Sequence, residues 1–134
     1  MNYDKLLRQH QLKATPQRLA ILDLIHRSGH ISIEDMFVEI RHKFSSISLA
    51  TLYKNVNTML ESSLLKEIKI SGNKTKYELD KDRHSHILCS ECGELYDIPL
   101  DPLMVLKESS HFSDYVIDDA SIVINGTCKQ CKSD

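Results

Sequence analysis

The chain has 134 residues, a formal net charge of −2 and 41% hydrophobic residues. That length holds one ordinary domain or two small ones, and that apolar content supports a core and argues against disorder. No stretch approaches the roughly 20 apolar residues that span a bilayer, and the start, Met1-Asn-Tyr-Asp-Lys-Leu-Leu-Arg, lacks the apolar run and cleavage site of a secretory signal. A cytoplasmic protein is expected, where thiols stay reduced and paired cysteines point to metal or redox chemistry rather than structural disulfides. The near-neutral total conceals an asymmetry. Residues 1–80 carry 12 Lys+Arg against 9 Asp+Glu, a net of +3, and residues 81–134 carry 5 against 10, a net of −5. A basic first part joined to an acidic second part reads as two small domains with different tasks.

Tyr3 to Gln11, with Leu6 and Leu7 among polar residues, reads as a short helix. Thr15 can cap the next helix and Pro16 suits its first position, where a missing N–H is harmless. Leu19, Leu22 and Ile25 share a face, and Gly29 ends the helix after about Ser28. Ser32 caps a further helix, with Asp35 three residues on and apolar positions Ile33, Met36, Phe37, Ile40 and Phe44 at helical spacing. An amphipathic helix begins near Ser48, with Leu49, Leu52, Val56 and Met59 facing inward.

The opposite face of that last helix offers Ala50, Thr51, Tyr53, Lys54, Asn55 and Asn57. Asn and Lys can hydrogen-bond base edges, and a Thr methyl or an aromatic ring can pack on a thymine methyl. An ordinary solvated face has a similar composition, so the neighbours decide. Leu65 to Ile70 and Thr75 to Leu79 read as strands around a Ser71-Gly-Asn-Lys turn. Helices followed by a hairpin are the order of a winged helix-turn-helix, whose last helix enters the major groove of DNA. Lys69, Lys74 and Lys76 lie where phosphates would pass, and Lys13 and Arg18 join Ala50, Thr51, Tyr53, Lys54 and Asn55 as DNA-contact candidates.

Asp80-Lys-Asp-Arg83 has no apolar residue and marks the boundary. The expected organisation is a winged-helix domain over 1–80, a hinge over 81–83 and a second domain over 84–134. In the second domain His84 to Ser90 and Glu94 to Leu100 read as strands. Asp101-Pro102 starts a helix to about Ser110, and a β-rich run lies within Tyr115 to Ile124. The fold class is α+β.

Cys89-x-x-Cys92 and Cys128-x-x-Cys131 use every cysteine in the chain. Four thiolates in two knuckles are the donor set of a tetrahedral structural zinc site; neither pair sits at the strand-to-helix junction of a redox motif. A small acidic domain with little core needs such a staple. Imidazole and carboxylate groups form a second set, suited to a first-row ion such as iron or manganese. His84 and His86 alternate along a strand and so share a face, and Asp97 lies on the returning strand. His30 and Glu78 lie upstream of the linker, and spacing alone leaves their membership open. His10, His26, His42 and His111 have no partner in the pattern.

The order Ala14-Thr-Pro-Gln-Arg18, Ser48-Leu-Ala-Thr-Leu-Tyr53, His84-x-His86 and two Cys-x-x-Cys knuckles resembles the ferric uptake regulator family over nearly the whole chain. The resemblance implies a dimeric, metal-dependent transcriptional repressor with a winged-helix N-terminal domain and an α/β dimerisation domain. It implies structural zinc on Cys89, Cys92, Cys128 and Cys131. It implies a regulatory Fe(2+) or Mn(2+) on His30, Glu78, His84, His86 and Asp97, and places Tyr53 at a base-contacting tyrosine. Asp97, where iron-responsive members carry Glu, is similar to the peroxide-sensing branch, in which iron and hydrogen peroxide oxidise a ligand histidine, here His30 or His84. Glu78 stands where that branch usually has Asp, and Ser85 stands where some members carry an acidic ligand for a further site. The expected partners are double-stranded operator DNA and a second copy of the chain, with no membrane and no catalysis. Two other readings are a repressor responding to iron or manganese supply, and a metallohydrolase built on His84, His86 and Asp97.

Overall fold

The computed structural model describes residues 1–132. The chain divides into two compact units, Met1–Asp80 and Lys81–Asp134. Among the described residues no helix is long and apolar enough to cross a membrane.

Unit 1 comprises α1 (Tyr3–Gln9), α2 (Pro16–Ser28), β1 (Ile31–Ser32), α3 (Ile33–Ile40), α4 (Leu49–Glu61), β2 (Leu65–Ile68) and β3 (Lys76–Leu79). Each helix starts at a short polar side chain that accepts an otherwise orphaned N–H. Asn2 accepts from Lys5 (3.0 Å), Thr15 from Arg18 (3.3 Å), Ser32 from Asp35 (3.2 Å) and Ser48 from Thr51 (3.1 Å). Such caps contribute about 1 kcal/mol each. Gly29, at φ +77°, closes α2 through its N–H to the Ile25 carbonyl (2.9 Å). Helices α1 and α4 are each followed by a non-glycine residue at positive φ, Gln11 (φ +61°) and Ser63 (φ +63°). The next N–H in each case returns to the helix, Leu12 to Leu7 (2.9 Å) and Leu64 to Met59 (3.0 Å).

The apolar stripes of the four helices meet in one core, where Leu7, Ile21, Leu22, Ile25, Met36, Leu52, Val56 and Met59 have no accessible surface. Two details depart from the periodic reading. Helix α3 ends at Ile40, and Phe44 reaches the core from a following turn rather than from the helix. Leu49 is 43% exposed; as the first residue of α4 it projects beyond the end of the stripe that Leu52 begins. The three strands pair in the order β1-β3-β2, all antiparallel. The two-residue β1 carries no sequence period and is absent from the sequence reading.

Unit 2 comprises β4 (Ser85–Cys89), β5 (Leu95–Ile98), α5 (Pro102–Lys107), a 3-10 turn (Ser110–Phe112) and β6 (Val123–Gly126). Asp101 caps α5 by accepting from the Leu103 N–H (2.9 Å). The sheet order is β5-β4-β6, with β5 antiparallel and β6 parallel to the central strand. A parallel partner needs a long crossover, and the segment containing α5 provides it. The β-rich run of Tyr115 to Ile124 forms a strand only from Val123 onward. Its earlier part is exposed, with Tyr115 69% and Val116 92% accessible.

Candidate metal centres and nucleic-acid interface

The parallel β4–β6 pairing aligns Cys89 with Gly126 and so delivers the second knuckle to the first. The sulfur atoms of Cys89, Cys92, Cys128 and Cys131 all lie within 4.8 Å of one another, and all four are unbridged. Cys92 Sγ and Cys128 Sγ are 3.8 Å apart. A tetrahedral ion with zinc–sulfur bonds of about 2.3 Å separates its ligands by about 3.8 Å, whereas a disulfide requires about 2.05 Å. Backbone N–H groups aim at the sulfurs, as Cys128 N–H does at Cys89 Sγ (3.3 Å). Those from Cys92 and then Cys128 hold the Cys89 thiol down to about 6. The Cys131 N–H lowers Cys128 in the same manner. Hydrogen bonds to Cys128 and then Cys92, which Cys131 can make only while it keeps its proton, push its thiol up to about 12. Four sulfurs this close suit a shared divalent cation, and the donor set fits zinc.

The nitrogen and oxygen donors lie in both units. In unit 1 the turn at Gly29 leads into β1, whose Ile31 pairs with Tyr77 of β3. Continuing that register sets His30 beside Glu78, with Nε2 and Oε2 3.4 Å apart and both side chains largely buried. In unit 2 His86 lies directly opposite Asp97 across the β4–β5 ladder, its Nε2 3.3 Å from Asp97 Oδ1. His84 immediately precedes β4, and its Nε2 is 3.1 Å from His86 Nε2 and 3.6 Å from Asp97 Oδ1. His84 Nδ1 lies 2.8 Å from the Asp82 carbonyl. A carbonyl only accepts, so Nδ1 carries a proton, which leaves Nε2 as the ring nitrogen that can ligate an ion. Bonds of about 2.1 Å set neighbouring donors about 3.0–3.4 Å apart for right-angle to tetrahedral geometry; the two separations from His86 Nε2, 3.1 and 3.3 Å, lie in that range, and His84 to Asp97 at 3.6 Å is slightly wider. Ser85 points elsewhere: it is fully buried and its hydroxyl donates to the Leu100 carbonyl (2.6 Å).

Helix α4 buries Leu52, Val56 and Met59 and leaves Ala50, Tyr53, Lys54 and Asn57 exposed. Lys13, Lys69 and Lys74 are also exposed. Thr51 accepts from the Ser48 hydroxyl (2.9 Å). Arg18 and Asn55 occupy each other: Arg18 Nε donates to Asn55 Oδ1 (3.2 Å), and Arg18 Nη1 donates to the Lys13 carbonyl (3.1 Å). Asn55 Nδ2 donates in turn to the Thr51 carbonyl (3.2 Å). These two candidates form a strut between α2 and α4. The sequence reading did not single out Lys81, whose ammonium bonds Asp97 Oδ2; the charged run it sits in was the only signal.

A capped helix-turn-helix with a β-hairpin wing, joined to a unit with a four-thiolate cluster and an imidazole–carboxylate cluster, defines a winged-helix regulator that handles metal. The family model described as the ferric uptake regulator family matches residues 9–124. The chain belongs to that family and is therefore a transcriptional regulator, not an enzyme. It is similar to the peroxide-responsive repressor PerR of Staphylococcus epidermidis, at 28% identity over 130 residues, 96% of this chain and 87% of that one. Among solved structures it is similar to the Campylobacter jejuni peroxide stress regulator, at 34% identity and a TM-score of 0.71, covering 98% of this chain and 100% of that one. It is also similar to the Vibrio cholerae ferric uptake regulator, at 25% identity and a TM-score of 0.75, covering 95% and 100%.

Proposed function

We propose that this chain is a homodimeric, cytoplasmic repressor that holds operator DNA when a regulatory ion is bound and releases it on exposure to hydrogen peroxide. The observation that carries this reading is the convergence of His84 Nε2, His86 Nε2 and Asp97 Oδ1 at 3.1–3.6 Å in unit 2. Three donors leave a first-row ion short of ligands, and His30 with Glu78 supply two more of the same chemistry. An ion that draws on both sets restricts the hinge at 81–83 to one posture. In a dimer that posture sets two α4 helices at successive major grooves, with Tyr53, Lys54 and the lysines of the wing toward the duplex. Metal and operator then favour the same state, so each raises the other's affinity by the same factor. The exposed Met104, Phe112, Tyr115 and Val116 of unit 2 suit the second copy.

Asp97 and the similarity to proteins named as peroxide-responsive regulators favour peroxide as the signal. Ferrous iron held there would activate peroxide beside a ligand ring; in the net reaction the ring is the two-electron reductant, one peroxide oxygen going to its carbon and the other leaving as water. The chain's part is to hold His30 and His84 as the oxidisable rings; His84 is oriented through its Nδ1–H bond to Asp82. A ring that gains oxygen is a poorer ligand, the hinge loosens and the operator is released. The test is an operator-binding titration of the iron and manganese forms, with and without peroxide, followed by peptide mass spectrometry. The expected result is loss of binding in the iron form alone, with one added oxygen on the His30 or His84 peptide. Metal-dependent binding that peroxide leaves intact refutes peroxide sensing and favours a reporter of metal supply. His84→Ala should abolish metal-dependent binding while the dimer persists, and full metal dependence in that variant refutes the regulatory site.

A further inference from the structure

The carboxylate at the centre of the unit 2 cluster already has a cation. Lys81, the first residue of unit 2, bonds Asp97 Oδ2 through its ammonium (2.5 Å). The other oxygen of the same carboxylate faces His86 Nε2 at 3.3 Å and His84 Nε2 at 3.6 Å. Asp97 thus lies between one fixed positive charge and the two rings expected to share an ion with it. The residue before Lys81 is tied elsewhere, Asp80 to Lys66 at 3.5 Å. The charged run at the hinge therefore has an oriented ion pair on either side of the boundary between the units.

We propose that Lys81 is a resident counter-cation of the regulatory site, which competes with the divalent ion for Asp97 and so sets the site's metal affinity. The proposal rests on the reading of His84, His86 and Asp97 as metal ligands. One carboxylate carries one negative charge, and an ion that draws on it weakens its hold on the ammonium and repels it. Metal entry then releases Lys81 from Asp97, so the first link of the hinge changes partners when the ion binds. The pair is half exposed, at 49% for the lysine side chain and 36% for the aspartate. Its effect is therefore moderate and screened by salt.

The test uses the full-length, zinc-loaded protein and Mn(2+) alone, with free Mn(2+) counted from its electron paramagnetic resonance signal. Lys81→Met should bind Mn(2+) about two- to tenfold more tightly than the parent at low salt, with the gap closing as salt rises. Lys81→Gln should match it without adding an apolar side chain, and Lys81→Arg, which keeps the charge, should stay near the parent. In the parent, amine-reactive labelling of Lys81 should rise when Mn(2+) is added, while Lys66 serves as the internal standard. Unchanged or weaker binding in Lys81→Met and Lys81→Gln, with flat labelling of Lys81, overturns this role while the parent's Mn(2+) binding leaves the site itself standing. Absence of Mn(2+) binding in parent and variants alike overturns both.

Discussion

Stripping zinc from the thiolate cluster should unfold unit 2 and leave unit 1 folded. Unit 1 buries a continuous core drawn from four helices and a sheet. Among the described residues of unit 2, the buried apolar side chains other than the ligand Cys89 are Leu88, Leu95 and Pro102. Full burial of two leucines contributes about 3–6 kcal/mol. A structural zinc site contributes about 10–16 kcal/mol at neutral pH, so in unit 2 the ion outweighs the core. Cys89 and Cys128 are anchored by β4 and by the loop after β6, so the ion also clamps the parallel strand pair whose crossover is long. The assay is a pair of nitrogen–proton correlation spectra, zinc-loaded and chelator-stripped, with amide exchange followed residue by residue. Stripping should collapse the unit 2 peaks and leave Leu22, Val56 and their neighbours protected, and Cys131→Ser should behave like the stripped protein. If the β4 amides of Ile87 and Leu88 exchange as slowly without zinc as with it, the thiolates are not what holds this unit together. If unit 1 collapses as well, the two units are not independent.

Acid should release zinc, because Cys89, Cys92, Cys128 and Cys131 hold the ion as thiolates and take up protons when they let it go. A colorimetric zinc-release titration reads this directly, and a zinc content that stays constant as the solution is acidified contradicts it. Ser63→Gly should stabilise unit 1 by about 0.5 kcal/mol, because relief of about 1–2 kcal/mol of left-handed strain exceeds the entropy loss of about 0.5–1 kcal/mol. A urea midpoint that falls would refute that balance. Arg18→Ala and Asn55→Ala should each weaken operator binding and, as a double mutant, show coupling of about 1.5–3 kcal/mol for a charged hydrogen bond; additive losses mean that the strut does not position α4.

Local chemistry in the sequence was enough to place the helices of unit 1, the wing and the two knuckles. A cap, a proline at the first turn and a stripe at helical spacing act within about ten residues, so Thr15-Pro16, Ser32 and Ser48 announce α2, α3 and α4 without help from distant parts. Donor types were equally legible, since thiol, imidazole and carboxylate carry their metal preferences wherever they stand. Tertiary structure alone decided which of them meet. The pairing of β1 with β3 that sets His30 beside Glu78 involves two residues with no period of their own. The parallel pairing of β6 with β4 joins segments more than thirty residues apart, and only that pairing brings Cys128 to Cys89. Lys81 on Asp97 and Arg18 on Asn55 depend on side chains meeting across elements, for which residue spacing holds no record. Local signals reflect the backbone's own hydrogen-bonding needs, whereas these meetings follow from how the elements pack once the apolar faces are buried.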